Sequence, residues 1–203
     1  MGDLFHAIYR QTADYIQAGG PVMPPLAGVS LVMWLLILNR ALFFRRLHRR
    51  NMPFRTAREH VREGRLPDRR QYSGVIALLV TRFLQARSGD RTLDRFILEE
   101  TVQRINRSLT DHLQVIGVLA AVAPLLGLLG TVTGMIATFD IMAVFGTGNA
   151  KAMAGGISEA LITTQTGLLV AIPGLYMKGF LDRRARNLQQ RITAAGLFLR
   201  RHL

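Results

Sequence analysis

Residues 157–174 read ISEALITTQTGLLVAIPG. The stretch is oily enough for a bilayer, yet within eight residues it carries Glu159, Thr163, Thr164, Gln165 and Thr166. A soluble core helix has no use for that mixture. In lipid, where oil gives helices no reason to associate, small and polar side chains hold them together. The stretch therefore raises the question of whether the whole chain spans a membrane.

Composition agrees that it does. Of 203 residues, 49% are hydrophobic, yet the formal charge is +13, and the mean hydropathy is +0.21. Oil and charge coexist because they are segregated along the chain. Three runs are free of formal charge or nearly so: Tyr15 to Asn39, Val115 to Phe139 and Ala160 to Met177. Each is near the ~20 residues that cross ~30 Å of hydrocarbon. The runs are continuous rather than alternating, which excludes a β-barrel. The fold class expected is an all-α membrane protein: three transmembrane helices with long cytoplasmic helical extensions.

Arginine and lysine set the orientation. From Arg45 to Asp111 there are sixteen arginines against eight acids, a net of +8. Lys178 to Leu203 carries a net of +6, whereas residues 1–20 and 140–159 each total −1. The division predicted is a periplasmic N-terminal segment at 1–20, a first span at 21–44 and a cytoplasmic helical loop at 45–111. A second span at 112–139, a periplasmic link at 140–156, a third span at 157–178 and a cytoplasmic C-terminal helix at 179–203 follow. The first residues lack the basic flank and short apolar core of a cleaved signal, and His6 stands where myristoylation needs Ser or Thr; the N-terminus is expected to be retained. A pI of 11.5 can signal nucleic acid, but these arginines flank spans, where they meet anionic lipid, and no base-reading motif accompanies them.

Within the loop, the helix leaving the first span is expected to stop at Asn51-Met52-Pro53. Gly64 to Pro67 reads as a turn, YSGVIALLVTRFLQAR (72–87) as an amphipathic helix, and Ser88-Gly89-Asp90 as a stop and a new start. Leu93, Ile97, Thr101, Ile105, Leu109 and Leu113 form a fourfold stripe running into the second span. If Thr92 to Phe139 is one helix, its 48 residues rise about 72 Å. With no linker or repeat, one integrated helical unit is expected.

Two small faces emerge. In the second span Ala120, Pro124, Gly127, Thr131, Gly134 and Thr138 recur at steps of three or four, with Gly130 alongside. In the third, Gly156, Ala160, Thr163, Gly167, Ala171 and Gly174 do the same, with Pro173 near the end. Either these faces only pack helices, or their hydroxyls line a narrow polar path. Glu159, one turn into the third span, reads as a capping or subunit contact or as a carboxylate at the mouth of such a path. Cysteine is absent, all five histidines fall outside the spans, and no acid or base sits near mid-membrane. A proton crossing that distance needs an ionisable relay, so another polypeptide would have to supply it. An intramembrane enzyme is disfavoured, because no Ser–His, paired-Asp or metal-ligating set occurs in the spans.

APLLGLLGTVTGMIATF (123–139) and GGISEALITTQTGLLVAIPG (155–174) closely resemble the signature spans of the ExbB/TolQ/MotA family of ion-driven membrane motors, nearest its ExbB branch. The resemblance covers the first span to the C-terminal helix. It implies a homopentameric ring in the bacterial inner membrane, enclosing the single helices of an ExbD-type partner whose Asp accepts the proton. That ring would drive a TonB-type protein serving outer-membrane transport, with no cofactor. It implies that Thr131 and Thr164 line the ion path and that Glu159 is a functional carboxylate; Thr163 and Thr138, on the same hydroxyl-bearing faces, are read as further pore-lining residues. Gly127, Gly130, Gly134, Gly167, Pro124 and Pro173 would be packing residues. The chain is shorter than the longest members, which keeps open a TolQ-like or gliding or adhesion role. The polar TTQTG (163–167) keeps sodium open beside protons, and a non-conducting scaffold stands as the other class of reading.

Overall fold

The structure, a computed structural model, describes residues 2–48, 52–68, 71–72, 74–146 and 150–202. The described residues form helices throughout: α1 (Gly2–Ala18), a short 3-10 turn (Gly20–Val22), α2 (Met23–His48), α3 (Phe54–Glu63), α4 (Val75–Ala86), α5 (Arg91–Thr110), α6 (Leu113–Phe145) and α7 (Ala150–Arg200). Three helical stretches, within 20–47, 91–145 and 153–200, are long and apolar enough to cross a membrane. Instead of the one integrated unit expected, the chain divides into two compact units, residues 1–36 with 115–178 and residues 37–114 with 179–203. Sequence could not show this, because α2 and α7 run unbroken through the boundaries and no linker marks them.

In the first unit, the uncharged run from Tyr15 breaks at Gly19-Gly20-Pro21. Gly20 has φ +68°, a conformation that a Cβ makes costly. Pro24 and Pro25 then sit in the first turn of α2, where the missing N–H groups would have lacked helical partners anyway. Met23 and Leu26 of α2 pack with Ala123 of α6 and Ala171 of α7, and Ile16, Val29, Leu126, Ile162 and Val170 close around them. The link predicted at 140–156 is largely helical: α6 runs on to Phe145 and α7 begins at Ala150. Residues 147–149 lie outside the described set.

In the second unit the turn predicted after α3 is present, with Gly64 left-handed and the Arg65 N–H returning to His60 O. Asp90 caps α5 by accepting from the N–H groups of Thr92 and Leu93. Asn51, the predicted stop after α2, lies outside the described residues. Two expectations change. The single helix from Thr92 to Phe139 is broken at Asp111-His112, where His112 takes φ +64°. Arg40, only 8% exposed, explains the break: it donates to Ser108 O at 2.9 Å and, through Nε, to Asp111 O at 2.6 Å, taking over carbonyls at the end of α5. The fourfold stripe also drifts, because four residues overshoot a turn of ~3.6. Leu93 is 50% exposed, and the covered face is Asp94, Leu98, Thr101, Ile105 and Leu109.

Along α7, Leu181, Ala185, Leu188, Ile192, Ala195 and Leu199 are buried at steps of three and four. This part runs antiparallel to α5, tied by Arg200–Glu99 (2.6 Å) at one end and Gln189 Nε2 to Asn106 O (3.1 Å) further along.

Candidate functional site

The seam between α6 and α7 follows from side-chain size. Six buried positions of α6, Ala120, Ala123, Gly127, Gly130, Gly134 and Thr138, recur at steps of three and four and meet a matching set on α7. A Cβ at Gly127 would lie 3.1 Å from Thr163 O, and one at Gly167 would lie 2.8 Å from Ala123 O. One at Gly134 would lie 2.8 Å from Gly156 O, and one at Gly130 would collide with the Thr163 side chain. The helices are therefore antiparallel and in backbone contact, an approach that only small residues allow. Pro124 and Pro173 are half-buried inside α6 and α7; each removes an N–H from its helix ladder.

This packing divides the four threonines expected to line a path. Thr138 is 2% exposed and Thr163 0%. Their hydroxyls donate to carbonyls of their own helices, Thr138 to Gly134 O at 2.9 Å and Thr163 to Ala160 O at 2.9 Å. Both hydroxyls lie buried between two helices of one chain. Thr131 and Thr164 remain half-buried. The Thr131 hydroxyl donates to Leu128 O at 2.6 Å, and Thr164 reaches both Ala160 O and, across the seam, Gly127 O at 3.2 Å. Thr133, which spacing did not single out, is likewise half-buried and donates to Gly130 O. Gln165 is exposed.

One end of the site is built by α1 and its turn, which sequence reasoning treated as a plain segment. Glu159 is half-buried, and its carboxylate fills the space over Gly20, where any Cβ would collide with it. Seven residues on, the Thr166 hydroxyl lies 2.9 Å from Tyr15 OH and donates to Ile162 O at 2.7 Å. The available signal was Gly19-Gly20-Pro21, a turn that fixes where α1 can lie. At the other end, the Lys178 stem runs along Gly117, whose Cβ would lie 3.3 Å from Cε. Among the described residues no group of three His, Cys, Asp or Glu side chains could hold a metal ion.

The seam is thus a glycine-closed helix pair with the hydroxyls of Thr131, Thr133 and Thr164 half-buried at its margin. Comparison with known proteins gives this architecture a place. Residues 71–194 match the MotA/TolQ/ExbB proton channel family. The chain is 34% identical over 165 residues to the biopolymer transport protein ExbB-like 3 of Synechocystis sp., covering 78% of this chain and 79% of that one. It is 36% identical over 112 residues to the biopolymer transport protein ExbB of Aquifex aeolicus (55% and 72%). With the ExbB of Helicobacter pylori it shares 38% over 92 residues (45% and 63%). A three-span helical chain with this seam, matched over more than half its length by the family and by relatives of the ExbB kind, belongs to the MotA/TolQ/ExbB proton channel family, close to ExbB.

Proposed function

We propose that this chain is the ring-forming subunit of an inner-membrane motor that passes protons and does mechanical work on a partner. Five copies assemble with their α6–α7 pairs around single-span helices of an ExbD-type protein, and the complex energises a TonB-type protein. The chain is not itself an enzyme. Its N-terminus is periplasmic and its C-terminus cytoplasmic, following the arginine distribution.

The observation that carries this reading is the sorting of hydroxyls at the seam. Thr138 and Thr163 are consumed by packing, whereas Thr131 and Thr164 stay at the margin. There they can offer oxygens to water or an ion beside a carboxylate brought by the guest helix. Every threonine of the spans already bonds a carbonyl, which satisfies it in lipid and is the specific support for the scaffold reading. Glu159 acts at the outer end, where it fixes the α1 turn.

Thr131→Val and Thr164→Val, each tested for assembly by native mass spectrometry and for TonB-dependent uptake in cells, separate the readings. The motor reading expects intact rings and lost uptake. Full uptake in both variants would leave only the scaffold. Uptake that follows external sodium rather than pH would replace the proton with sodium in the same path.

A further inference from the structure

The second unit contains a cavity of about 330 Å³ that plays no part in the seam. Arg58 and Arg62 of α3, Arg87 before α5, Arg91 at its start, Asp94 and His202 line it, with Val61 and Leu199 as apolar wall. We propose that this cavity binds a soluble phosphate-bearing anion: along α7, Leu199 lies 21 residues, about 30 Å, beyond the end of the third span, out of reach of a lipid headgroup.

The charge balance points there. Asp94 is the only acid in the lining, and it is already spoken for. Its Oδ2 accepts from Arg87 Nε at 2.9 Å, and its Oδ1 accepts from the Ser88 N–H at 2.9 Å, the Ser88 hydroxyl at 3.1 Å and the Gly89 N–H at 3.3 Å. Arg87 gives NH1 to Val61 O at 2.9 Å, which pins it to α3 and leaves NH2 uncommitted. Among the described residues no hydrogen bond or ion pair engages the guanidinium of Arg58, Arg62 or Arg91. Arg58 and Arg62 stand one helical turn apart, a like-charge spacing that disfavours the isolated helix and that a shared anion would relieve. His202 holds its Nδ1 on Phe198 O at 2.8 Å, and since a carbonyl only accepts, the proton is on Nδ1.

Size and lining narrow the class. The volume is at the lower end of the ~300–1,000 Å³ typical of small-molecule sites. No Phe, Tyr or Trp lines the cavity, so the large aromatic platform favoured in nucleotide recognition is missing from its lining. Converging guanidinium groups match phosphate oxygens, which accept paired N–H donors in a planar fork.

The test uses the full-length protein purified in detergent as its native oligomer. Inorganic phosphate and pyrophosphate are titrated by calorimetry, and retention of phosphatidylglycerol against phosphatidylcholine is read by native mass spectrometry. Arg58→Gln/Arg62→Gln is compared with Arg183→Gln/Arg186→Gln, which removes the same charge from exposed positions outside the cavity. The first pair should weaken at least one probe tenfold or more and the second should change it less than twofold. Arg91→Gln, on a different element, should weaken the same probe at least threefold. Loss with phosphate or pyrophosphate supports the site, whereas loss of phosphatidylglycerol retention alone overturns it. Equal weakening in the two double variants, or no binding of any probe to the unaltered protein, overturns it.

Discussion

The Thr164 hydroxyl of α7 donates to the main-chain oxygen of Gly127 on α6 at 3.2 Å while sharing itself with Ala160 O at the same distance. A side chain on one helix can reach the backbone of the next only because no Cβ stands between them at Gly127. Thr164→Ser should therefore keep both bonds and retain most uptake. Thr164→Val keeps the shape and loses the oxygen, and should remove uptake while costing roughly 0.5–1.5 kcal/mol of stability. Thermal unfolding in detergent, run beside the uptake assay, distinguishes the two losses.

Adjacent glycines on α7 make an internal control. A Cβ at Gly156 would lie 2.8 Å from Gly134 O, which is backbone and cannot swing away, whereas a Cβ at Gly155 meets nothing within 4 Å. Gly156→Ala should destabilise by about 1–3 kcal/mol through overpacking. Gly155→Ala should be neutral or stabilise by up to ~1 kcal/mol from helix propensity. Equal melting temperatures for the two would contradict the seam.

Gly20 and Glu159 occupy one space, and their substitutions should be coupled. Gly20→Ala forces the carboxylate away and also strains a residue at φ +68°. Combining it with Glu159→Ala removes the collision but not the strain. The double variant should be more stable than the sum of the single effects implies, by about 0.5–3 kcal/mol in a mutant cycle.

Asp94 gives a pH dependence outside the spans. Its 1% exposure would by itself push the carboxyl up, but the bonds from the Ser88 N–H, Arg87, the Gly89 N–H and the Ser88 hydroxyl outweigh burial and hold it below the ordinary range. A lowered folded-state value means the stabilisation is complete above the unfolded value of ~3.9 and is lost as pH falls through the folded one. Asp94→Asn should cost about 1–3 kcal/mol at neutral pH, discounted because Arg87 remains one-third exposed. The gap between the two melting temperatures should narrow from pH 4 downward. A constant gap would show that the carboxylate charge contributes nothing.

The break at Asp111-His112 depends on Arg40. Arg40→Met should leave the Ser108 and Asp111 carbonyls short of donors and destabilise by about 1–3 kcal/mol. His112→Gly should be neutral or stabilising, since φ +64° suits glycine, whereas His112→Val should destabilise. Hydrogen exchange across residues 108–113 reads the local effect.

How much of this was legible varies by residue and for physical reasons. Charge-free runs located the three spans because water and lipid sort whole segments. Asp90 and Gly64 were readable because caps are chemistry of one residue in one conformation. How the threonines divide was not readable: a hydroxyl buried in a helix contact and one left half-exposed follow the same three-and-four spacing, and only the position of the partner helix separates Thr163 from Thr164. Asp94 carried no signal in the sequence, since its donors come from residues 87–89 and a turn must form before they converge. The helix break left no glycine or proline to betray it, because its cause, Arg40, lies some seventy residues away.

Between Phe145 and Ala150 only four residues separate the two helices of the seam. Chain closure over so short a gap forfeits little entropy, and the surfaces that meet are both encoded within one hairpin. Biogenesis can therefore proceed in stages: α6 and α7 zip together as they leave the insertion machinery, and the finished hairpin precedes any later packing against it.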